Sequence, residues 1–249
     1  MTDLTTPLSH RNVLLETSRK DTWWAKQLLM VAILVLSLGY ATWAALQGDY
    51  FQVGPYTSPF YSPQLAFDWW PISPALLIVW APGGFRLTCY YFRRVYYRVL
   101  FFTPPACAVG GRQHNYKGER SLFIFQNLHR YFLYLAIVLW VFHVHDTALA
   151  FSFNGGFGIG VGSLVILLDT ILLTGFVFGC NSLRHLVGGN ADCYSCVTFG
   201  RQRHLLWRLV SKLNLHHWFW AWSSLIWITL TDLYIRLTAM NVITDLRIL

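Results

Sequence analysis

Charged residues are scarce in this chain of 249 residues, and the common catalytic motifs are missing. Only 12% of the residues are charged, whereas 55% are hydrophobic, and this balance excludes an ordinary soluble domain. The sequence contains no GxSxG nucleophile motif, no phosphate-binding glycine loop and no HExxH zinc motif. No internal repeat is visible, and only one apolar segment is interrupted by prolines, which disfavours a transporter built from repeated halves.

Long apolar runs dominate the chain instead. Residues 28–46 are uncharged over 19 positions, which is enough for a helix to cross a bilayer. They follow a polar segment without a small-residue cleavage site, so we interpret them as a retained span. The sequence predicts an all-α membrane protein: a cytoplasmic N-terminal segment, 1–27, and a five-span transmembrane helical bundle, 28–249. The predicted spans cover about 28–46, 69–92, 121–147, 157–187 and 214–238.

The basic residues predict the orientation of the bundle. Lys and Arg collect before the first span and in two long loops, 93–120 and 188–213, whereas the connections 47–68 and 144–157 contain neither. The positive-inside rule therefore places the N-terminus and both long loops in the bacterial cytoplasm and the C-terminus outside the plasma membrane. Topology accounts for most of the net charge of +8. A nucleic-acid partner is disfavoured because the basic residues form no separate domain.

All five cysteines lie at or beside this cytoplasmic face. Disulfides rarely persist in a reducing compartment, so we expect no disulfide framework. Cys193 and Cys196 have the CxxC spacing of metal ligands. With His185 and His204 they could form a structural zinc site, which is one alternative for this loop.

Helical geometry brings Cys and His from four predicted spans to one inner depth. Cys89, His129, Cys180 and His216 would supply one side chain each from spans two to five. Two Cys and two His form the ligand set of a Rieske-type [2Fe–2S] centre. His185, His217, Cys193 and Cys196 remain alternative ligands.

Other interpretations of this inner layer stay open. One haem could be held by His129 and either His216 or His217. Alternatively, the cysteines are small buried apolar residues, and His129 is a hydrogen-bonded histidine near a helix end.

A second polar layer lies nearer the outer face. His143 follows His129 by 14 residues, or about 21 Å of helix, and no other span offers a histidine at that depth. A second haem is thereby excluded. We interpret His143 and His145 as interfacial histidines, with a proton or quinone role as the alternative. Asp146, Asp169 and Asp232 belong to the same layer.

A quinone needs an apolar slot with a few polar groups at its head. Four inner-layer side chains are candidate donors to that head, although each could instead be an interfacial anchor. They are Arg86, Tyr90, Arg130 and Tyr131.

Five blocks of sequence resemble the membrane anchor subunit of actinobacterial succinate dehydrogenase, respiratory complex II. They keep their order from the second span to the fifth: GFRLTCYYFR at 84–93, PPACAV at 104–109, QNLHRY at 126–131, SLRHLVGG at 182–189 and KLNLH at 212–216. The resemblance implies a five-span subunit docked on a flavoprotein subunit and an iron–sulfur subunit, with quinone, menaquinone in particular, as the electron acceptor. Many relatives hold two b haems on four histidines. The first two spans here contain no histidine. The chain therefore looks more like the mycobacterial-type branch, in which a Rieske-type [2Fe–2S] cluster replaces haem.

The leading hypothesis is a quinone-reducing electron-transfer subunit of succinate dehydrogenase. The alternatives are an anchor with one b haem and, from another class, a membrane scaffold or transporter without redox function.

Overall fold

The computed structural model describes residues 20–22, 24–65, 67–100, 123–153, 156–189, 191 and 193–249. The predicted N-terminal segment up to residue 19 and most of the predicted loop 93–120 lie outside these residues. The helices are α1 (Ala25–Gln47), α2 (Trp80–Thr88), α3 (Tyr90–Leu100), α4 (Phe123–Leu149), α5 (Val161–Phe178), α6 (Asn181–Gly188), α7 (Gly200–Leu215) and α8 (His217–Ala239). Two short antiparallel hairpins join β1 (Gln52–Val53) to β2 (Tyr56–Thr57) and β3 (Ser152–Phe153) to β4 (Gly156–Phe157).

Within the described residues, three helices are long and apolar enough to cross a membrane: α1, the Asn127–Leu149 part of α4, and α5. The predicted second span is divided into a 3-10 turn, Pro74–Leu77, followed by α2 and α3. The prolines explain this division, because a proline lacks the amide donor that a continuous helix needs. The predicted loop 188–213 also differs, since α7 occupies much of it.

Two of the helix breaks fall on cysteines. Cys89 has extended backbone angles between α2 and α3, and Cys180 has nearly the same angles between α5 and α6. A third break, at His216, separates α7 from α8. The predicted span 157–187 is therefore interrupted at Cys180. The predicted span 214–238 contains the break at His216, and α8 begins directly after it.

The core forms where α5 packs along α8 and α2 packs along α4. The end of α5 meets the start of α8, since a Cβ on Gly175 would lie 2.4 Å from the Trp220 ring. The start of α5 meets the segment after α8, where Gly160 pairs with Arg247. The two helices are thus antiparallel, as expected for consecutive passes.

The contact between α2 and α4 depends on a glycine. A Cβ placed on Gly84 would lie 2.3 Å from the Phe132 ring, whereas a Cβ on Gly83 would meet nothing within 4 Å. We expect Gly84→Ala to destabilise the fold by about 1–3 kcal/mol, because the Phe132 ring packed against this glycine must move to admit the methyl group. The thermal midpoint of the purified complex measures this effect.

Gly83→Ala is the matched control, since it adds the same methyl group to the same helix in open space. It should be neutral or stabilising by up to about 1 kcal/mol, because alanine favours helix more than glycine does. Phe132→Leu should partly restore the midpoint of the Gly84→Ala protein. Equal midpoints for the two glycine variants would contradict the proposed contact.

At the opposite end from the cysteines, the C-terminal segment fastens the hairpins to the helices. Asp245 accepts hydrogen bonds from the hydroxyls of Tyr56 and Tyr234, at 2.7 and 2.6 Å, and from the backbone N–H of Gly162 at 2.9 Å. Burial, assisted by the Asp245 bond, raises the pKa of Tyr56 to about 12. The hydroxyl therefore remains a neutral donor throughout the physiological pH range.

A buried ion pair lies beside this end of the bundle. Arg236 donates through Nε to Asp232 at 2.7 Å, and its other two nitrogens donate to the backbone carbonyls of Asp49 and Ala44, both at 2.8 Å. Asp232 also accepts hydrogen bonds from the hydroxyls of Tyr40, at 2.7 Å, and Ser58. Both charged groups are almost completely buried, so the network is supported by hydrogen bonds from α1, the β1–β2 region and α8.

Candidate functional site

Two cysteines and two histidines converge inside the bundle. Nε2 of His129 lies 3.2 Å from Sγ of Cys180, and Nε2 of His217 lies 3.9 Å from Sγ of Cys89. The two thiols lie within electrostatic range of each other, and so do the two imidazoles. All four residues are buried. We call Cys89, His129, Cys180 and His217 the Cys/His quartet.

The backbone gives both cysteines the same setting. Each occupies an extended residue immediately before a helix, α3 for Cys89 and α6 for Cys180. The unpaired amides and the dipole at a helix N-terminus favour negative charge. The amides of the first turn can donate hydrogen bonds to a thiolate, which is the form of cysteine that binds metal, although burial by itself favours the neutral thiol.

A threonine fixes the orientation of His129. The Thr88 hydroxyl donates to the Gly84 carbonyl at 2.7 Å and lies 2.8 Å from Nδ1 of His129. Its one proton serves the carbonyl, so the hydroxyl accepts from Nδ1–H. The lone pair of His129 therefore resides on Nε2, the atom that faces Cys180. This is how outer contacts prepare a histidine ligand.

The ring of His217 has a free nitrogen and space beside it. Nδ1 is buried without a hydrogen-bond partner in the part of the chain that the structure describes. A Cβ on Gly179 would approach this nitrogen to 3.2 Å, so the absent side chain leaves room for the imidazole. Gly179 directly precedes Cys180 and so keeps the quartet compact.

Aromatic rings connect the quartet to the helices around it. Phe85 stacks on His129 at 4.6 Å between ring centroids, and Phe176 stacks on His217 at 5.4 Å. The two phenylalanines contact each other at 5.0 Å. The guanidinium of Arg86 lies 4.6 Å from the centre of the Phe176 ring.

A cavity of about 330 Å³ begins on the other side of these rings. Its wall is formed by α1, α2, α4, α5 and α8 and is mostly apolar. Arg86 and His143 are the ionisable side chains on this wall. Arg86 is held in place by the Ala221 carbonyl at 3.2 Å and the Ser224 hydroxyl at 3.1 Å.

The sequence led us to expect free thiols at Cys193 and Cys196, but a disulfide bond joins the two residues. The spacing of CxxC suits a disulfide as well as a metal, and the compartment argument alone favoured free thiols. Across the described ranges, no group of three or more His, Cys, Asp or Glu side chains is arranged to hold a single metal ion. The zinc alternative with His185 and His204 therefore has no support from the geometry.

Comparison with known proteins identifies the family. Residues 25–241 match the family described as actinobacterial succinate dehydrogenase subunit SdhC. A chain of the Mycobacterium smegmatis Sdh1 complex in the apo form superposes with a TM-score of 0.83 at 36% sequence identity, over 95% of this chain and 96% of that one. The chain belongs to the actinobacterial SdhC family. A search of curated proteins gave no match.

Membership of the SdhC family makes this chain a bacterial membrane protein and a subunit of a succinate dehydrogenase complex. It associates with the other subunits of that complex. The family that was predicted from the five sequence blocks is thereby confirmed.

The structure separates the predicted metal ligands of this SdhC chain into buried and exposed residues. Cys89, His129 and Cys180 are in the quartet. His216 is exposed at the break before α8, and the adjacent His217 takes the buried position. His185 is also exposed, on α6.

The predicted quinone donors divide in the same way. Arg86 lines the cavity. Tyr90, Arg130 and Tyr131 are exposed on the outside of the SdhC chain, and the two tyrosines are 53% and 64% exposed. His143, expected at the interface, is instead buried on the cavity wall, whereas His145 is exposed as expected.

Several residues that support the quartet were not predicted from the sequence. Thr88, Phe85 and Phe176 support the histidines, and Gly179 makes room for one of them. Thr88 and Gly179 each directly precede a quartet cysteine, and this shared position is the signal that could have found them.

Proposed function

We propose that this SdhC chain is a membrane anchor that conducts electrons from the iron–sulfur subunit of succinate dehydrogenase to quinone, with a [2Fe–2S] cluster at the Cys/His quartet. Succinate itself is oxidised on the flavoprotein subunit. The observation that carries the proposal is the convergence of two buried thiols and two buried imidazoles next to an apolar cavity.

The quartet fits the cluster in its donor chemistry. Thiolate and imidazole suit iron–sulfur chemistry and suit magnesium or calcium poorly. Nε2 of His129 is prepared as an acceptor by Thr88, and Nδ1 of His217 has no partner among the described side chains. Cys89, His129, Cys180 and His217 would hold the cluster. When bound, a [2Fe–2S] cluster accepts and releases one electron at a time.

A single haem is the weaker alternative. Phe85 stacks on His129, Phe176 stacks on His217, and the two phenylalanine rings contact each other, so that almost completely buried rings fill the space beside both imidazoles. A porphyrin ligated by His129 and His217 would have to fit beside these rings. The thiols would also remain unused, although each is placed at a helix N-terminus.

The cavity fits the head of a quinone. Its volume of about 330 Å³ lies in the range of small-molecule sites, and its wall combines apolar contacts with few polar groups. The phenylalanine rings that stack on the histidines also face the cavity. Arg86 on the same wall can donate a hydrogen bond to a quinone oxygen, in addition to its contacts with α8.

We further propose the five-span orientation. The Pro74–Leu77 turn with α2 and the helix α8 would complete the bundle with the three apolar helices, and the quartet would lie at the cytoplasmic side. In support, the basic residues of α3, α6 and α7 all lie on the quartet side of the molecule, whereas the hairpins and the C-terminal segment lie at the other end. Exposed Arg201, Arg208 and Lys212 of α7 offer a docking surface for the iron–sulfur subunit.

Chemical analysis of the intact complex tests the proposal. The intact complex should contain more iron and more acid-labile sulfide than the isolated soluble subunits, and the extra iron and extra sulfide should be in a 1:1 ratio. No haem should be extracted. The visible spectrum of the reduced complex should be broad and weak. A sharp reduced α-band would establish the haem alternative, and the absence of both extra iron and haem would favour an anchor without redox function.

A further inference from the structure

The cavity has a second ionisable residue, His143 on α4, which the proposed electron route does not use. Its Nε2 lies 3.2 Å from a carboxylate oxygen of Asp169 on α5. Both side chains are buried, at 7% and 0% exposure. A carboxylate paired with an imidazole is the arrangement that orients a histidine for proton transfer.

Asp169 interacts with both ionisable groups of the cavity wall. Its carboxylate lies 3.2 Å from Nε2 of His143 and within electrostatic range of Arg86. Arg86 and His143 both line the cavity, whereas the residues that α1 and α8 add to the wall are uncharged. A buried carboxylate is costly unless it is paired. Asp169 is not among the residues that line the cavity, so its pairing with His143 indicates a role that acts through the imidazole.

The pair lies nearer the outer end of the bundle than the quartet does. His143 is six residues before the end of α4, which corresponds to about 9 Å of helix. Asp169 is eight residues after the start of α5, about 12 Å. His129 is about 21 Å from His143 along α4. The cavity is lined by His143 and by Phe85 and Phe176, which stack on the quartet histidines, so it extends between the two layers.

We propose that His143 is the proton donor to a quinone oxygen in this cavity and that Asp169 positions its ring. This inference rests on the proposed function, because it requires quinone in the cavity. Reduction of one quinone consumes two electrons, which succinate supplies through the partner subunits, and two protons. As the N–H bond of the His143 imidazolium breaks, an O–H bond forms on the quinone. The neutral imidazole then takes a proton from solvent, and the transfer repeats.

The geometry assigns the atoms of this step. Nε2 of His143 faces Asp169, which leaves Nδ1 as the nitrogen that gives up its proton. Nδ1 is therefore the ring nitrogen that remains for a ligand. The Asp169 carboxylate compensates part of the positive charge that Arg86 and a protonated His143 place beside the cavity.

His143→Gln in the intact complex tests the donor. Glutamine keeps the size and a hydrogen bond but cannot supply a proton. We expect kcat for succinate-driven reduction of a water-soluble naphthoquinone to fall about 100-fold, with KM for the quinone within about threefold of wild type. Wild-type turnover should fall as the pH is raised, because the donor must be protonated, and the variant should lose this dependence. Succinate oxidation by a soluble artificial acceptor should not change.

Asp169→Asn should lower kcat by about tenfold and change the pH profile, and Asp169→Glu should partly restore both. His145→Gln on the exposed face of α4 is the matched control and should behave as wild type. Normal quinone turnover in His143→Gln, or an unchanged pH profile, would overturn the inference. Should that variant fail to assemble, the solvent deuterium isotope effect on wild type decides. A value of about 2 or more with quinone and none with the artificial acceptor supports a proton donor, and equal values contradict it.

The test separates this inference from the proposed function. If only the inference fails, His143→Gln retains activity while a variant without His129 and His217 does not. If both variants retain full quinone reduction, the electron route itself is wrong.

Discussion

Replacing His129 and His217 together by alanine should abolish succinate-driven quinone reduction while the complex remains assembled. Both imidazoles are buried beside thiols, and both would be ligands of the same cluster. The loss of two of four ligands should remove the cluster, so the iron and sulfide content should fall by the amount assigned to the membrane subunit. Succinate oxidation by a soluble artificial acceptor should survive, because that site lies on another subunit.

The chain offers an unusually close control for this experiment. His216 is the direct neighbour of His217, yet it is exposed. A protein with His129 intact and His216→Ala should keep its full iron content and its quinone turnover. The reverse outcome, in which His216→Ala loses iron while the double variant keeps it, would reassign the ligand and require α8 to rotate. Full activity in the double variant would instead remove the quartet from the electron route.

The second large effect concerns stability. Asp232→Ala should destabilise the protein by about 3–5 kcal/mol, because it leaves the charge of Arg236 buried without its counter-ion. The hydroxyls of Tyr40 and Ser58 would lose their acceptor at the same time. The thermal midpoint of the purified complex, or the fraction that stays soluble in detergent after heating, measures the loss.

A double replacement distinguishes this mechanism from simple damage to packing. Asp232→Leu with Arg236→Met removes both charges and keeps the volume, so it should be less harmful than Asp232→Ala alone. Asp146→Ala is the matched control, since that carboxylate is partly exposed and its ion-pair partner among the described residues is the exposed His145. A stability loss for Asp146→Ala as large as that for Asp232→Ala would contradict the explanation.

The depth of residues along helices was predictable from the sequence, whereas their rotation was not. Counting 1.5 Å per residue placed Cys89, His129 and Cys180 in one layer, and the structure brings them together. Neighbouring residues on a helix differ by about 100° in direction. In a bundle with apolar residues on every face, the sequence contains little information about which direction is inward. The sequence therefore could not show that Arg130 and Tyr131 are exposed while His129 beside them is buried.

The choice between His216 and His217 depends on the same property and on a backbone break. Continuous helix numbering assumes that α7 and α8 are one helix, but the chain bends at His216. The bend directs His217 inward, and no local sequence pattern predicts this bend. The second span shows the opposite case. Its prolines predicted an interruption, but only tertiary packing defines where α2 begins and that it ends at Cys89.

The Asp232–Arg236 pair also has a consequence for membrane insertion. Helix α8 has the length of a span but is not among the three that are apolar enough by themselves. A charged residue at mid-membrane costs about 2.5–3.5 kcal/mol during insertion, and a pair near the end of a helix, as here, costs less. That cost is offset by groups on a helix made much earlier, the Tyr40 hydroxyl and the Ala44 carbonyl of α1. In the proposed five-span arrangement, α1 is therefore in the bilayer before α8 is synthesised, and α8 would insert beside groups that can pair with its charges.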